Sequence, residues 1–100
     1  NQFIFINPIR FYYNIDFSMR NKLEFAVGIN SKKIKLAVNR NRTKRIIREA
    51  YRIQKKLLFE DDFLQNKHIS IFALYTSSEI PIFINMHNIV HQFLIQIKSK

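Results

Sequence analysis

The sequence contains no cysteine and a single glycine among its 100 residues. Without cysteine the chain can form no disulfide bond, no thiolate nucleophile and no cysteine-ligated zinc site. One glycine is too few for the glycine-rich loops that cradle phosphates or dinucleotides. No apolar run reaches the 18 or more residues of a membrane span, and two prolines leave little room for a linker. We therefore expect one packed domain, residues 1–100, in the cytoplasm.

Positive charge is concentrated in one segment of the chain. Residues 32–56 hold eleven basic side chains and one acid, Glu49, which equals the whole formal charge of +10, while the remaining residues are balanced. Like charges at i and i+4, such as Lys44 and Arg48, destabilise an isolated helix slightly. The pattern therefore favours a polyanionic partner, nucleic acid, over an ordinary solvated surface or an anionic membrane.

The same segment has the periodicity of an amphipathic helix over residues 39–56, with Asn39 as the predicted N-cap. On a helical wheel Arg42 falls beside Glu49, at the border of the apolar stripe and away from the main cationic face. The apolar stripe contains Thr43, Ile46, Ile47, Ala50, Ile53 and Leu57, whereas the cationic face contains Arg40, Asn41, Lys44, Arg45, Arg48, Arg52, Lys55 and Lys56.

Apolar alternation predicts three strands, and a second amphipathic helix is predicted to cover the sheet that they form. The first strand is long and bent at Pro8, and the short connection after it predicts an antiparallel hairpin with the second. The strands span residues 2–15, 23–29 and 68–75, and the second helix spans residues 82–97. These elements predict the α+β fold class.

Aromatic side chains on the first predicted strand have two possible roles. Phe11, Tyr12 and Tyr13 are consecutive, so a strand places them on both of its faces. They either belong to the core or form a stacking surface for unpaired bases. The pattern alone leaves both roles open.

Residue types that carry catalysis or bind metals occur here without the spacing that such chemistry needs. His87 and His91 have the i and i+4 spacing of a helical metal pair, but no glutamate follows His87 and no third ligand is near in sequence. Asp61 and Asp62 are adjacent, which points their carboxylates apart. We therefore expect no metal site, no bound cofactor and no catalytic residue in the protein itself.

Residues 31–52, SKKIKLAVNRNRTKRIIREAYR, resemble the signature of the bacterial ribonuclease P protein family. That signature combines a Ser-Lys-Lys turn, an Ala-Val step, an Arg-Asn-Arg triplet, and then Lys-Arg, Arg and Glu at helical spacing. The order of elements extends the resemblance more loosely over the whole chain. The matching residues are Ser31, Lys32, Lys33, Ala37, Val38, Arg40, Asn41, Arg42, Lys44, Arg45, Arg48 and Glu49.

The resemblance implies a two-layer α/β sandwich with a small mixed sheet, a long basic helix and a C-terminal helix. It also implies a left-handed βαβ crossover, an exception to the right-handed rule. Lys35 stands where the family usually has glycine, and Gly28 is offset from the family's usual glycine. The family's first helix would precede Asn1, so we expect the domain to lack that helix.

A function follows from the resemblance as well. The protein would be a subunit of ribonuclease P that binds the catalytic RNA and the 5′ leader of precursor tRNA, while the RNA performs cleavage with magnesium. No membrane or protein partner is expected. Phe11 and Tyr13 would line the leader cleft, by their position on the first strand. The residues implied to bind RNA are Lys32, Lys33, Arg40, Asn41, Arg42, Lys44, Arg45, Arg48 and Arg52.

Two other classes of nucleic-acid-binding protein share this composition. One is a standalone regulatory or architectural protein whose basic helix enters the major groove of DNA, although a nearly all-cationic face reads phosphate rather than base edges. The other is a ribosome-associated protein. A binding preference among leader-bearing structured RNA, duplex DNA and ribosomal RNA separates these classes.

Overall fold

The computed structural model describes residues 2–100, and this range contains four strands and two α-helices. The strands are β1 (Gln2–Ile6), β2 (Ile9–Phe17), β3 (Lys22–Ile29) and β4 (Lys67–Tyr75), and the helices are α1 (Ala37–Arg52) and α2 (Phe83–Lys98). A 3₁₀ segment, Lys55–Asp62, follows α1. No helix within residues 2–100 is long and apolar enough to cross a membrane.

The strands form one mixed sheet in the order β1-β2-β4-β3. β1 and β2 are antiparallel, as are β2 and β4, whereas β3 runs parallel to β4. α1 lies in the connection between the parallel pair and packs against β3 and α2. The predicted α+β fold with a small mixed sheet is confirmed, and the left hand of the crossover stays a prediction.

Two predictions about the first strands are wrong. The predicted strand over residues 2–15 is a hairpin, in which Ile6 pairs with Ile9 around Asn7 and Pro8. Pro8 fits this turn because it has no backbone N–H to give to a sheet ladder. The predicted hairpin between that strand and β3 is also wrong, since β4 lies between β2 and β3. β2 and β3 each form backbone hydrogen bonds with β4, which lies between them, and not with each other.

The boundaries of α1 differ from the predicted ones at both ends. Leu36 occupies the N-cap position without a side-chain hydrogen bond, so Asn39 lies inside the helix and its prediction as the cap is wrong. The helix ends at Arg52, before the 3₁₀ segment. The buried positions Ile47, Ala50 and Gln54 centre the inner side of this segment on a line that includes Leu58 rather than Leu57, so the prediction of Leu57 as a core residue is wrong. Leu58 is fully buried, while Leu57 is only partly buried.

The core lies between the sheet and the helices, and α1 enters it with half of the predicted apolar stripe, since Ile46 and Leu57 are only partly buried and Ile53 is exposed. Thr43, Ile47 and Ala50 are buried, as is Tyr51, which the wheel missed. The Phe11 ring from β2 stacks on Phe93 of α2, with ring centroids 4.1 Å apart and planes 10° from parallel. Aliphatic side chains complete this core, including Ile9, Ile69, Ile71, Val90, Leu94 and Ile97.

A buried glutamine joins the end of α1 to α2. The Nε2 of Gln54 donates to the carbonyls of Ala50 at 2.9 Å and His87 at 3.0 Å. Its Oε1 lies 3.1 Å from Nδ1 of His91. The histidine pair that has metal-like spacing in sequence is thus part of a helix–helix contact.

Candidate nucleic-acid interface

The loop before α1 is held by hydrogen bonds that place its lysines beside the helix. The backbone N–H of Lys32 donates to Oδ1 of Asn30 at 2.8 Å, and the N–H of Lys33 donates to the Asn30 carbonyl at 3.0 Å. Both lysine side chains are exposed. This turn delivers two cations next to the start of α1, in agreement with their predicted position.

Arg40 differs from the other predicted RNA-binding cations, because its guanidinium is bound to backbone carbonyls of the preceding loop. Nη1 donates to the carbonyls of Ile34 at 3.0 Å and Lys35 at 2.6 Å. The side chain is partly buried. Arg40 therefore fixes the loop that carries the lysines, which is a role that spacing alone could not indicate.

The single acid of α1 is committed to one neighbour. Both oxygens of Glu49 accept from Nε of Arg52, at 3.0 and 3.1 Å, and Oε1 also accepts from Nη2. This hydrogen bonding holds the pKa of the Glu49 carboxyl below its usual value and raises the pKa of Arg52. The pair is exposed and adds little stability. Within the part of the chain that the structure describes, Arg52 is thus the one α1 cation with a carboxylate partner.

The remaining cations of α1 form what we call the basic face. Within residues 2–100 none of them lies within 4.0 Å of a carboxylate. Lys44 is partly buried and the others are exposed. Unpaired cations held on one rigid helix are suited to a polyanion. The basic face consists of Lys44, Arg45 and Arg48, with the polar Asn41 beside them and Arg42 at its border, where the helical wheel places it.

The other face of the sheet, which the helices leave open, carries aromatic rings. Phe3 pairs with Tyr12 and Tyr12 pairs with Phe72 across the strands, with ring centroids 6.0 and 6.4 Å apart. The guanidinium carbon of Arg10 lies 5.5 Å from the centre of Phe3 and 5.7 Å from that of Phe5. We call these five residues the aromatic sheet face. Rings beside a cation are suited to stacking unpaired bases.

The prediction that Phe11 and Tyr13 line a leader cleft is wrong in this structure. Phe11 is 0% exposed and Tyr13 is 5% exposed, and the Tyr13 hydroxyl donates to Oε1 of Gln2 at 2.7 Å. Rings enclosed in this way cannot stack on a base. Alternation along β2 gives two sets of side chains, and the helices cover the set that includes Phe11 and Tyr13.

Sequence reasoning missed most of the aromatic sheet face. Tyr12 was considered together with its neighbours, but Phe72 stands on a distant strand and Phe3 on a strand that was not separated from β2. The cross-strand partners Phe3, Tyr12 and Phe72 identify the site only when the register is known. In a single strand over residues 2–15 the odd-numbered Phe3 would lie on the opposite face from Tyr12, and only the hairpin register brings the two together.

Gly28, the sole glycine of the chain, lies directly beneath Phe72. A Cβ added to Gly28 would stand 2.4 Å from Cζ of Phe72. The absence of a side chain therefore lets the Phe72 ring lie across β3. Glycine is needed at this position because the Phe72 ring approaches the backbone closely, and the backbone conformation of Gly28 is not unusual.

Three polar side chains beside the aromatic sheet face, Glu24, His68 and Ser70, do not have the arrangement that activates a serine nucleophile. Nε2 of His68 lies 2.6 Å from Oε1 of Glu24 and 3.3 Å from Oγ of Ser70. The hydrogen bond from His68 and then the charge of Lys22 hold the pKa of the Glu24 carboxyl below its usual value. A catalytic triad needs serine and carboxylate on opposite ring nitrogens. Here both partners share one nitrogen, so the histidine cannot relay a proton between them.

Replacing Tyr51 by phenylalanine is expected to raise the free energy of unfolding by about 1 kcal/mol. The Tyr51 hydroxyl is buried without a hydrogen-bond partner among residues 2–100, and its burial raises the pKa of Tyr51 above the usual value. The matched control is Tyr13→Phe, which removes a formed hydrogen bond to Gln2 and should lower stability by about 1 kcal/mol. Urea denaturation measures both. A loss of stability in Tyr51→Phe would mean that the hydroxyl has a partner.

The sequence of this chain is similar to a known protein family and to curated relatives. A family profile described as Ribonuclease P matches residues 4–81 of the chain. Two curated relatives, from two strains of Porphyromonas gingivalis, carry the name Ribonuclease P protein component. Each is 35% identical over 95 residues, which cover 92% of this chain and 68% of the relative. No solved structure shows a significant match.

Proposed function

Because the chain belongs to the ribonuclease P protein family and is thus a subunit for tRNA 5′ processing, we propose how its two surfaces divide that work. The basic face and the loop lysines bind the catalytic RNA, and the aromatic sheet face binds the 5′ leader of precursor tRNA. The RNA performs the cleavage. The family assignment favours this function over a DNA-binding regulator or a ribosome-associated protein.

Binding of the catalytic RNA to α1 rests on one observation above all. The segment that holds the whole net charge folds into the loop before α1, α1 itself and the start of the 3₁₀ segment. Within residues 2–100 its cations have no carboxylate partner within 4.0 Å apart from the Glu49–Arg52 pair. The opposite side of the same helix is buried in the core. The cations are therefore presented on a rigid support, which suits phosphate contacts and recognition of RNA shape.

Magnesium enters this proposal only with the RNA. Within residues 2–100 no three His, Cys, Asp or Glu side chains converge closely enough to hold a metal ion. Magnesium binds through oxygen ligands and retains several waters, and it commonly sits against phosphates. The residues of this chain thus supply binding and orientation, and we assign them no metal-dependent step.

Alanine at Arg45 or Arg48 is expected to weaken binding to ribonuclease P RNA. Each substitution should also reduce the magnitude of the slope of log K against log salt concentration by about one unit. The reason is that each exposed guanidinium releases counterions when it contacts a phosphate. Filter binding or fluorescence titration over a series of salt concentrations measures the slope.

Lys100→Ala is the matched control for these substitutions. Lys100 is exposed, lies near Gln2 and Tyr13, and is not part of the basic face. Its removal changes the net charge as much as the loss of Arg45 does, so it separates a local contact from a general charge effect. Unchanged slopes in both arginine variants, or an equal change in Lys100→Ala, would contradict a phosphate-binding helix.

The leader is assigned to the aromatic sheet face because the leader is single-stranded. Unpaired bases stack on exposed rings, and cations beside them meet the backbone. Phe3, Phe5 and Phe72 are all exposed, and Arg10 stands among them. A base-paired acceptor stem does not offer such open ring faces, so this surface is suited to distinguish precursor from mature tRNA.

A further inference from the structure

A groove runs between α1, the 3₁₀ segment and β3, which is an edge strand of the sheet. Its volume is about 750 Å³, within the range of small-ligand sites. The walls are mainly apolar and include Leu23, Phe25, Phe59 and Leu64. The apolar lining of this groove belongs neither to the basic face nor to the aromatic sheet face.

The floor of the groove is rigid. Phe25 stacks face to face on Tyr51, with ring centroids 3.9 Å apart and planes 3° from parallel. Leu64 is buried beside them. Phe59 stands at the groove as well, but its side chain is 56% exposed. An exposed ring above a packed apolar floor is thus available for a flat ligand.

The rim of the groove is mainly cationic, and the one acid in its lining, Glu49, is paired with Arg52. Arg45 and Arg48 line it from α1, and Lys55 lines it from the 3₁₀ segment. Within residues 2–100 none of these three has a carboxylate within 4.0 Å. A ligand that fills the groove would therefore meet apolar walls below and unpaired positive charge above.

A flat aromatic ring joined to a phosphate combines these two properties. We propose that the groove takes one unpaired nucleotide of the catalytic RNA, with its base against Phe59 and its phosphate on Arg45 and Arg48. An apolar peptide or a second copy of this chain would cover the walls but leave the cations without an anion. The rim belongs to the helix that faces the catalytic RNA, so the inference rests on the proposed function.

The nucleotide itself can be tested on the free protein with adenosine 5′-monophosphate. Side-chain NMR resonances of Leu23, Phe59 and Leu64 should shift on titration, whereas ribose 5-phosphate, which has no base, should leave them unchanged. Phe59→Ala should abolish the shifts of the two leucines, and Phe72→Ala, on the aromatic sheet face, should retain them. Equal shifts with ribose 5-phosphate, or none with the nucleotide, would overturn the proposal.

The source of the nucleotide is tested in the complex with ribonuclease P RNA. Phe59→Ala should weaken the protein's affinity for that RNA by about five-fold or more, the usual scale of one lost base–aromatic stack. The preference for precursor over mature tRNA should be unchanged. A lower preference would assign the groove to the leader, and altered self-association with unchanged RNA affinity would assign it to a second copy. Either result contradicts the inference.

Failure of this inference is distinguishable from failure of the proposed function. If the groove binds no nucleotide, Arg45→Ala and Arg48→Ala should still weaken RNA binding through the basic face. If the proposed function is wrong, the wild-type protein has no preference for ribonuclease P RNA at all. Because Phe59 is exposed, its alanine variant should fold, which circular dichroism verifies.

Discussion

Replacing Leu58 by alanine is expected to lower the free energy of unfolding by roughly 2–5 kcal/mol. The Leu58 side chain is 0% exposed and belongs to the core cluster, so its truncation removes apolar contacts and leaves a cavity. Denaturation by urea or guanidinium chloride, followed by circular dichroism, measures the change. The result tests whether Leu58, in the 3₁₀ segment, occupies the core position that the helical wheel gave to Leu57.

Leu57→Ala is the matched control, with the same chemistry one position earlier. Leu57 is partly buried, so its loss should cost clearly less than that of Leu58. The predicted apolar stripe would instead place Leu57 in the core. If Leu57→Ala proves the more destabilising of the two, the burial of Leu58 in this structure is contradicted.

Phe72→Ala is expected to weaken the holoenzyme's affinity for precursor tRNA by about five-fold or more, since one stacked base is worth about 1–3 kcal/mol. Affinity for mature tRNA should be unchanged because that ligand has no leader. Phe72 is 41% exposed, so the substitution should leave the protein folded. Equilibrium binding of both tRNAs to holoenzymes built with wild-type and variant protein gives the comparison.

Gly28→Ala tests whether the position of the Phe72 ring matters, because it displaces the ring without removing it. The added methyl group occupies the place of the Phe72 ring edge, and the ring can move because it is partly exposed. The variant should lose precursor selectivity in the same direction as Phe72→Ala. Equal losses for precursor and mature tRNA in both variants would show that the aromatic sheet face does not bind the leader.

The two helices and the charge distribution were predictable from the sequence because both are local properties. The apolar stripe of α2 lies within one continuous segment, and the cations of α1 are neighbours in the chain. The end of α1 was less predictable, since the buried Gln54 forms hydrogen bonds with His87 and His91 of α2, which are far away in sequence.

The sheet was harder to predict because strand order depends on long-range pairing. Nothing near residues 2–29 indicates that β4 inserts between β2 and β3. For the same reason, the prediction placed Phe11 and Tyr13 in a leader cleft, although both lie on the buried face of the sheet. Alternation separates Tyr12 from its two neighbours, but only the position of α2 decides which set is buried, as the Phe11–Phe93 stack shows.

Cleavage of precursor tRNA by a bacterial ribonuclease P RNA at low magnesium, with and without this protein, tests the subunit role most directly. RNA charge repulsion is strongest at low magnesium, so the cations of α1 should have their largest effect there. We expect the protein to restore 5′-end cleavage that the RNA alone performs poorly, and Arg45→Ala and Arg48→Ala to restore less. No stimulation by the folded wild-type protein at any magnesium concentration would contradict its role as a ribonuclease P subunit.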